Sequence, residues 1–552
     1  MRLRAPAALL VLLLASACAD PSGAGDASGG TVVVASSAEV DVLVPAVSAT
    51  TSGQAVLQQL FDRLADLGDD VNTIGDRGFR PHLARSWVWS KDSLQIAFTL
   101  DPKARWHDGP PVTARDVRFT FQLYTDPLTG APFGPLLANI DSVSVRDSLT
   151  AVFWFKRRSP EQFFDATYQM LIHPEHLLGK VPHDSLRQSP FGRAPVGSGR
   201  FRFAQWEPDV KLVIASDTLN YAGRAKLDRV IFVPSRDYQV NVTRMLTGEA
   251  DVLETVRPEV APQFAGRSDL RTLQYSVLAY GFLEFALHDN GGARPHPVFG
   301  NATMRRALML ALDRTALVRA VFDSLATVPV GPAPGAISPR DTGMAQPAAN
   351  PAEADRLLDS LGWARGADGM RKRFGRSLAF NLMIPAPVRT RVQYATLIQA
   401  ALKERGVAVN IESLDPPTFT DRLNRRAFDA TILALSTDPT LSSIRQSWGA
   451  AGATTPMGSN HSGYANPLFD RLADSAAAAT NPVDARVLWA RAFRVINADV
   501  PAIWLYEPRP LMALHVRIQP TRVLPTHWLT GLADWSIPAG QRLPRDRASG
   551  NR

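Results

Sequence analysis

The chain has 552 residues, of which 45% are hydrophobic and 20% charged. That length exceeds what one hydrophobic core fills, so two or three domains are expected, and the composition excludes collagen-like, coiled-coil and predominantly disordered architectures. The formal charge of +8 falls to +6 once Arg2 and Arg4, in a segment expected to be removed, are subtracted; spread over this length it gives no reason to expect a nucleic-acid partner.

In chain order, the first feature is an export signal. Arg2 and Arg4 open it, residues 5–14 form an apolar run, and Ala15, Ser16 and Ala17 are the small residues before Cys18. The run is shorter than the roughly 20 residues a spanning helix needs, and no integral transmembrane helix is expected. Cys18 is the only cysteine, so no intrachain disulfide is available to a protein sent to an oxidising compartment. The stretch Leu14-Ala15-Ser16-Ala17-Cys18 resembles a bacterial lipobox, with Ala15 where leucine is usual. The resemblance implies that Cys18 is lipidated and becomes the mature N-terminus; the alternative is a plain signal peptide with an incidental cysteine. Residues 19–30, ADPSGAGDASGG, read as a flexible tether that extends at most about 40 Å.

From Thr31 the pattern is that of an α/β protein. Residues 31–35 form a short β-branched run, and Leu57, Leu60, Phe61, Leu64 and Leu67 follow at helical spacing behind a Ser52 cap. Leu94, Ile96, Phe98 and Leu100 alternate with Gln95, Ala97 and Thr99, which predicts a half-buried strand. A helix begins at Thr113, with Asp116 as its capping partner, and residues 149–155 form a further strand. Asn350-Pro351 with Glu353 starts a helix that Gly362 closes, and Asn466-Pro467 starts another. Strands at 407–411, 428–435 and 502–506 fall between helices at 391–404, 468–479 and 484–497, which predicts sheets covered by helices in at least two lobes. The tail from residue 541 carries Arg542, Arg545, Arg547 and Arg552 against Asp546 and reads as a solvated, disordered terminus.

Six segments carry a family resemblance. They are Pro81-His82-Leu83-Ala84-Arg85-Ser86-Trp87; residues 106–117, WHDGPPVTARDV; residues 195–201, PVGSGRF; Gly248-Glu249-Ala250-Asp251; Arg305 with Ala307 and residues 311–314, ALDR; and Gly463-Tyr464-Ala465-Asn466-Pro467 with Asp470. Together they resemble the family 5 extracytoplasmic solute-binding proteins, which include dipeptide-, oligopeptide-, nickel- and haem-binding components of ABC importers. Ser198, Arg200 and Phe201 depart from the family's pattern in the third segment. Most of these residues are architectural: Asp108-Gly109 makes a turn, Thr113 and Asp116 cap a helix, and Gly197 and Gly199 permit a tight loop.

The resemblance implies an α/β, two-lobed periplasmic-binding-protein type II fold with an enlarged first lobe of two subdomains and two hinge crossings. Carried onto this chain, it gives a signal peptide at 1–17, a lipidated cysteine and tether at 18–30, and a first lobe at 31–288 with about 76–190 as its extra subdomain. A second lobe at 289–505, a return to the first lobe at 506–540 and a basic tail at 541–552 complete it. The crossings would lie near 282–287 and 503–507. It also implies a function: capture of a peptide or peptide-like solute by hinge closure, delivery to an ABC transporter permease, and a place outside the cytoplasm, in the bacterial cell envelope, as a monomer held to a membrane by its lipid anchor.

In peptide-binding relatives, an aspartate on a loop after a second-lobe strand meets the peptide's free amine. The matching segment is Ala434-Leu435-Ser436-Thr437-Asp438-Pro439, and aligning Asp438-Pro439 with the family's D-P pair leaves Leu435 at the acid's position. Two readings follow: Asp438 takes over the amine contact, or the ligand has no free amine. The structural alternative for Asp438 is a simple Asp-Pro turn. Ser436, Trp448, Tyr280 and Glu39 complete the ligand-binding candidates, with core packing as the alternative for Tyr280 and Trp448 and plain surface exposure for Glu39.

An enzyme is not expected, nor is a cofactor or a metal. His173-Pro174-Glu175-His176 lacks H-E-x-x-H order and reads as a helix start; Gly197-Ser198-Gly199 lacks the spacing of a nucleophile elbow; and no Walker or dinucleotide loop occurs. The competing readings are a binding protein that feeds a sensor for a non-peptide solute and a secreted lipoprotein hydrolase.

Overall fold

The computed structural model describes residues 29–339, 344–386, 388–454, 458–520 and 523–547. The export signal, Cys18 and most of the expected tether lie outside them.

Two large sheets organise the chain. The first has seven strands in the order Leu270–Gln274, Leu511–His515, Val252–Val256, Thr31–Ser36, Arg229–Pro234, Lys211–Ser216 and Phe201–Glu207. Thr31–Ser36 runs parallel to both its neighbours, a pairing that requires the long crossovers found between them. The second sheet has six strands in the order Ala326–Thr327, Ala502–Pro508, Ala279–Phe285, Ala430–Ser436, Ala379–Pro385 and Ala408–Leu414. A four-stranded antiparallel sheet, Ala84–Trp89, Gln95–Leu100, Thr150–Phe155 and Ile140–Asp147, is an insertion between strands of the first.

Local chemistry sets these elements as the residues suggest. Thr113 and Asp116 form a reciprocal capping box on the helix Ala114–Thr125, and Asp116 also accepts from the Glu175 N–H at 2.9 Å. Asn350 and Asn466 cap helices whose first residues are Pro351 and Pro467. Gly109 turns at φ +111°, a region closed to most side chains.

The first helix departs from expectation. It spans Thr51–Leu60 and is capped by Thr50, while Ser52 donates to the Glu39 carbonyl instead. Leu64 and Leu67 keep their helical spacing but leave the helix, because the loop at 197–199 docks on its last turn. The Gly199 N–H binds the Leu60 carbonyl at 2.9 Å, and a Cβ at Gly197 would lie 1.8 Å from that same oxygen. Glycine is needed there for close approach rather than for its φ.

The passages between the two large sheets differ from the expected crossings. Ala279–Phe285 pairs along its length with Ala430–Ser436 and Ala502–Pro508, so both proposed hinge strands belong to the six-stranded sheet. The chain leaves the first sheet after Gln274 and returns to it at Leu511, which places the passages at residues 275–278 and 509–510. The physical reason is pairing: Phe282, Leu283 and Phe285 are buried in the second sheet's two core clusters.

The tail also differs. The helix Pro544–Arg547 is docked, not solvated: Arg517, buried under the first sheet, binds Asp251 at 2.9 Å and Asp546 at 2.6 Å, and Arg545 reaches Asp251 at 2.5 Å. Residues 548–552 lie outside the described residues. Among the described residues no helix is long and apolar enough to cross a membrane.

Candidate functional site: the interface between the two sheets

The halves meet along a seam lined by loops from both. A cavity of about 560 Å³ lies in it, bounded by Thr73, Ile74 and Glu161 from the first half and by Ile337, Pro439 and Trp489 from the second. Cavities of this size and position are where small-molecule sites concentrate. Ile74 packs against the second half's core, so the seam is partly apolar.

Polar contacts between described residues span it. Thr440 donates to the Glu161 carboxylate, which also accepts from Thr73 at 3.0 Å. The Gln169 side chain bonds the Asp438 carboxyl. At another point Arg389 pairs with Glu259 at 2.9 Å.

Asp438 therefore sits in the seam, facing the helix Gln162–Thr167 of the inserted subdomain. Burial raises its carboxyl above the usual range, against the pull of the Gln169 bond. Asp165 on that helix is pushed up to about 8, first by burial and then by the neighbouring charges of Glu161 and Asp438. Two carboxyls from opposite halves are thus close enough to repel. Tyr168, one turn on, stacks on Phe164 at 4.9 Å and receives the Arg63 guanidinium over its ring at 4.6 Å.

Ser436 ends its strand exposed, two residues before Asp438. The remaining candidates lie elsewhere. Tyr280 and Trp448 are each 1% exposed, bonded to one another at 3.3 Å and packed with Phe282 and Trp504 in the second half's core. Their rings fill the interior, so the core alternative describes their position. Glu39 is engaged within the first half, accepting from the Trp206 indole at 2.9 Å and the Asp209 N–H at 2.8 Å. This ties the loop after the first strand to the hairpin at 201–216.

Asp165, Glu161 and Gln169 were invisible as site residues in the sequence. The only signal was two acids four apart around Phe163 and Phe164. The histidine pair separates: His173 is fully buried, held down to about 3 by burial and accepting from the Ala46 N–H, whereas His176 pairs with Asp108 at 2.8 Å. Among the described residues no cluster of three His, Cys, Asp or Glu side chains is arranged to hold a metal ion.

Over residues 78–454 the chain matches the family described as bacterial extracellular solute-binding proteins, family 5 Middle. The chain belongs to this family. Protein XP55 of Streptomyces lividans is 28% identical over 485 residues, covering 87% of this chain and 84% of that protein. Among solved structures, the oligopeptide-binding protein AppA of Bacillus subtilis, in complex with a nonapeptide, superposes with a TM-score of 0.73 at 22% identity, over 92% of this chain and 99% of that one. NikZ of Campylobacter jejuni, in complex with Ni(L-His), gives 0.73 at 19% identity over the same shares. The fold is the two-lobed, mixed α/β type of periplasmic binding proteins, and family 5 is a class of extracytoplasmic solute-binding proteins that serve ABC importers. In these terms the seven-stranded sheet with its insertion is the first lobe and the six-stranded sheet the second.

Proposed function

We propose that this protein captures a peptide or peptide-like solute between its lobes and delivers it to an ABC permease, and that it performs no covalent chemistry on that solute. One observation carries the reading. The chain joins the two sheets by only two short passages among the described residues, at 275–278 and 509–510, and the seam between them contains a cavity lined from both sides. Two adjacent, short connections allow the lobes to rotate as rigid bodies. A solute touching both lobe faces then favours the closed form by the difference of its affinities for closed and open states. The peptide complex of AppA supports the choice of ligand class.

In this reading the signal at 1–17 exports the chain, the Cys18 thiol takes the lipid, and a monomer works at the membrane surface. Asp438 and the exposed Ser436 are then the members of the contact set that touch the solute, with Tyr280, Trp448 and Glu39 as supports. The test is native mass spectrometry of the protein purified from its own membrane fraction. Peptides retained under native spray and released on unfolding are the expected result, and a Cys18→Ser variant should leave the membrane fraction. A protein that retains no peptide and binds none from a digest would refute the ligand class.

A further inference from the structure

We propose that the end of the first lobe where residues 29–31 enter the sheet is a membrane-docking face, which lays a cluster of cations on anionic lipid headgroups and so fixes how the body stands on the bilayer. One part of the transport reading, the lipid on Cys18, underlies it. The Gly29 N–H donates to the Lys226 carbonyl at 2.5 Å, and the Thr31 N–H donates to Asp546 at 2.7 Å. The Arg542 guanidinium packs so tightly on Gly29 that a Cβ there would lie 2.9 Å from its central carbon. Arg229 donates to the Thr31 hydroxyl and to the Arg545 carbonyl, each at 3.4 Å. The first described residues and the last helix therefore meet at one place, and Arg224, Lys226, Arg229, Arg542 and Arg545 gather around it. Only residues 19–28 separate Cys18 from Gly29, a stretch that reaches no more than about 40 Å fully extended. A lipid on Cys18 holds this end of the lobe close to the headgroups.

The charges here are sorted by depth. Asp251 and Asp546 are 0% and 5% exposed and are bound by Arg517, while Asp228 is engaged by Arg224 and by the Gly30 N–H at 2.7 Å. Lys226 is exposed and forms no ion pair among the described residues. Arg547 and Arg552 follow in the sequence. The acids are spent inside the fold, so the charge left facing outward at the foot of the tether is positive. Lysines and arginines held beside an anionic bilayer each strengthen its hold on the protein by about fivefold. That attraction reaches only about 10 Å at 0.1 M salt, so it acts at the end that the tether keeps near the surface. Arg373 and Arg376 make a second exposed basic site, on the hairpin beside Phe374, but the hairpin belongs to the second lobe and no tether leaves from it. Nearness to the anchor and complementary charge together name the occupant as anionic lipid.

The test uses the full-length Cys18→Ser chain, exported and collected free of membrane, so that the face and not an acyl chain holds it. It is sedimented at low ionic strength with vesicles of equal parts phosphatidylglycerol and phosphatidylcholine, and with vesicles of phosphatidylcholine alone. It should partition onto the first, leave the second, and be released by added salt. Lys226→Gln with Arg542→Gln should lower the partition coefficient by about tenfold or more. Arg373→Gln with Arg376→Gln removes the same charge from the second lobe and should change it by less than about twofold. Lys226→Gln alone should lower it by about fivefold while the unfolding midpoint stays unchanged, which separates lost docking from misfolding. Equal binding to both vesicle types, or a loss from the hairpin variant as large as that from the Lys226 and Arg542 variant, overturns the proposal. Undiminished vesicle binding by the Lys226 and Arg542 variant, combined with lost solute uptake in cells, gives the face to an acidic protein partner and overturns it as well. The mass of the wild-type protein reads the anchor separately. If Cys18 is unmodified and the vesicle results hold, the anchor falls and the docking face stands; if Cys18 carries lipid and the Cys18→Ser chain ignores anionic vesicles, the anchor stands and the docking face falls.

Discussion

Arg389 of the second lobe reaches Glu259 of the first, with 2.9 Å between guanidinium and carboxylate. Both side chains are exposed, 69% and 45%, so the pair contributes little to folding, at most about 1 kcal/mol. Its place across the seam gives it a different consequence: it favours the closed form of the empty protein. Arg389→Ala should leave the unfolding midpoint nearly unchanged and increase the radius of gyration of the unliganded protein in small-angle scattering. Added salt should move wild type toward the variant, because exposed pairs are screened.

Gly197 and Gly109 offer a paired test of two glycine requirements. At Gly197 a methyl group would meet the Leu60 carbonyl oxygen at 1.8 Å, whereas at Gly109 nothing lies within 4 Å and only φ +111° opposes it. Gly197→Ala should therefore cost about 3 kcal/mol or more by displacing the loop from the first helix, and Gly109→Ala about 1 kcal/mol from backbone strain alone. Urea unfolding of both variants measures the difference.

Arg517 is 1% exposed and bound to Asp251 and Asp546, which are 0% and 5% exposed. Arg517→Ala leaves two buried carboxylates with Arg545 as their remaining cation, and should lower stability by about 3 to 5 kcal/mol. Deleting residues 544–552 removes Asp546 and Arg545 together and should also destabilise, which a solvated tail would not. Thermal unfolding of the truncated chain reads this directly.

Glu284, on the strand leading out of the hinge, is buried and held up to about 8 by burial, against the pull of the Ser462 N–H bond. Between its ordinary value of 4.5 and about 8, the folded chain keeps a proton that the unfolded chain has released. Stability therefore falls as pH rises through that window and levels off above it. Glu284→Gln should flatten this slope, raising stability above pH 8 by on the order of a few kcal/mol and changing little in acid. Urea midpoints across that range test the sign as well as the size.

Capping and strand signals with short-range causes were readable from the residues: the Thr113 and Asp116 box, the Asn-Pro helix starts at 350 and 466, and the alternation from Leu94 to Leu100 all operate within a few positions. Features set by distant partners were not. Leu64 and Leu67 continue a helical period, but the loop at 197–199 ends the helix at Leu60. Residues 279–285 are mostly apolar on both faces, which does not mark the sheet they join, and their partners lie some 150 and 220 positions away. Asp546 reads as a lone acid in a basic tail until Arg517 is seen under the sheet. At the seam, Asp438 was legible as a candidate because it lies beside a family motif, whereas Asp165 has no motif and nears it only where the lobes face each other. Tyr280 and Trp448 illustrate the opposite error, since large aromatics serve cores and clefts alike.

The account depends on two rigid lobes that move relative to each other around a guest. Leu219 in the first lobe and Phe374 in the second are 91% and 90% exposed and suit spin labels. With Cys18 replaced by serine, Leu219→Cys and Phe374→Cys supply the two thiols, and pulsed dipolar spectroscopy measures the distance between them. The account predicts a broad distribution in the empty protein that collapses to one narrow distance when the co-purifying ligand is restored. A distance that stays the same, in position and width, while ligand demonstrably binds would contradict it.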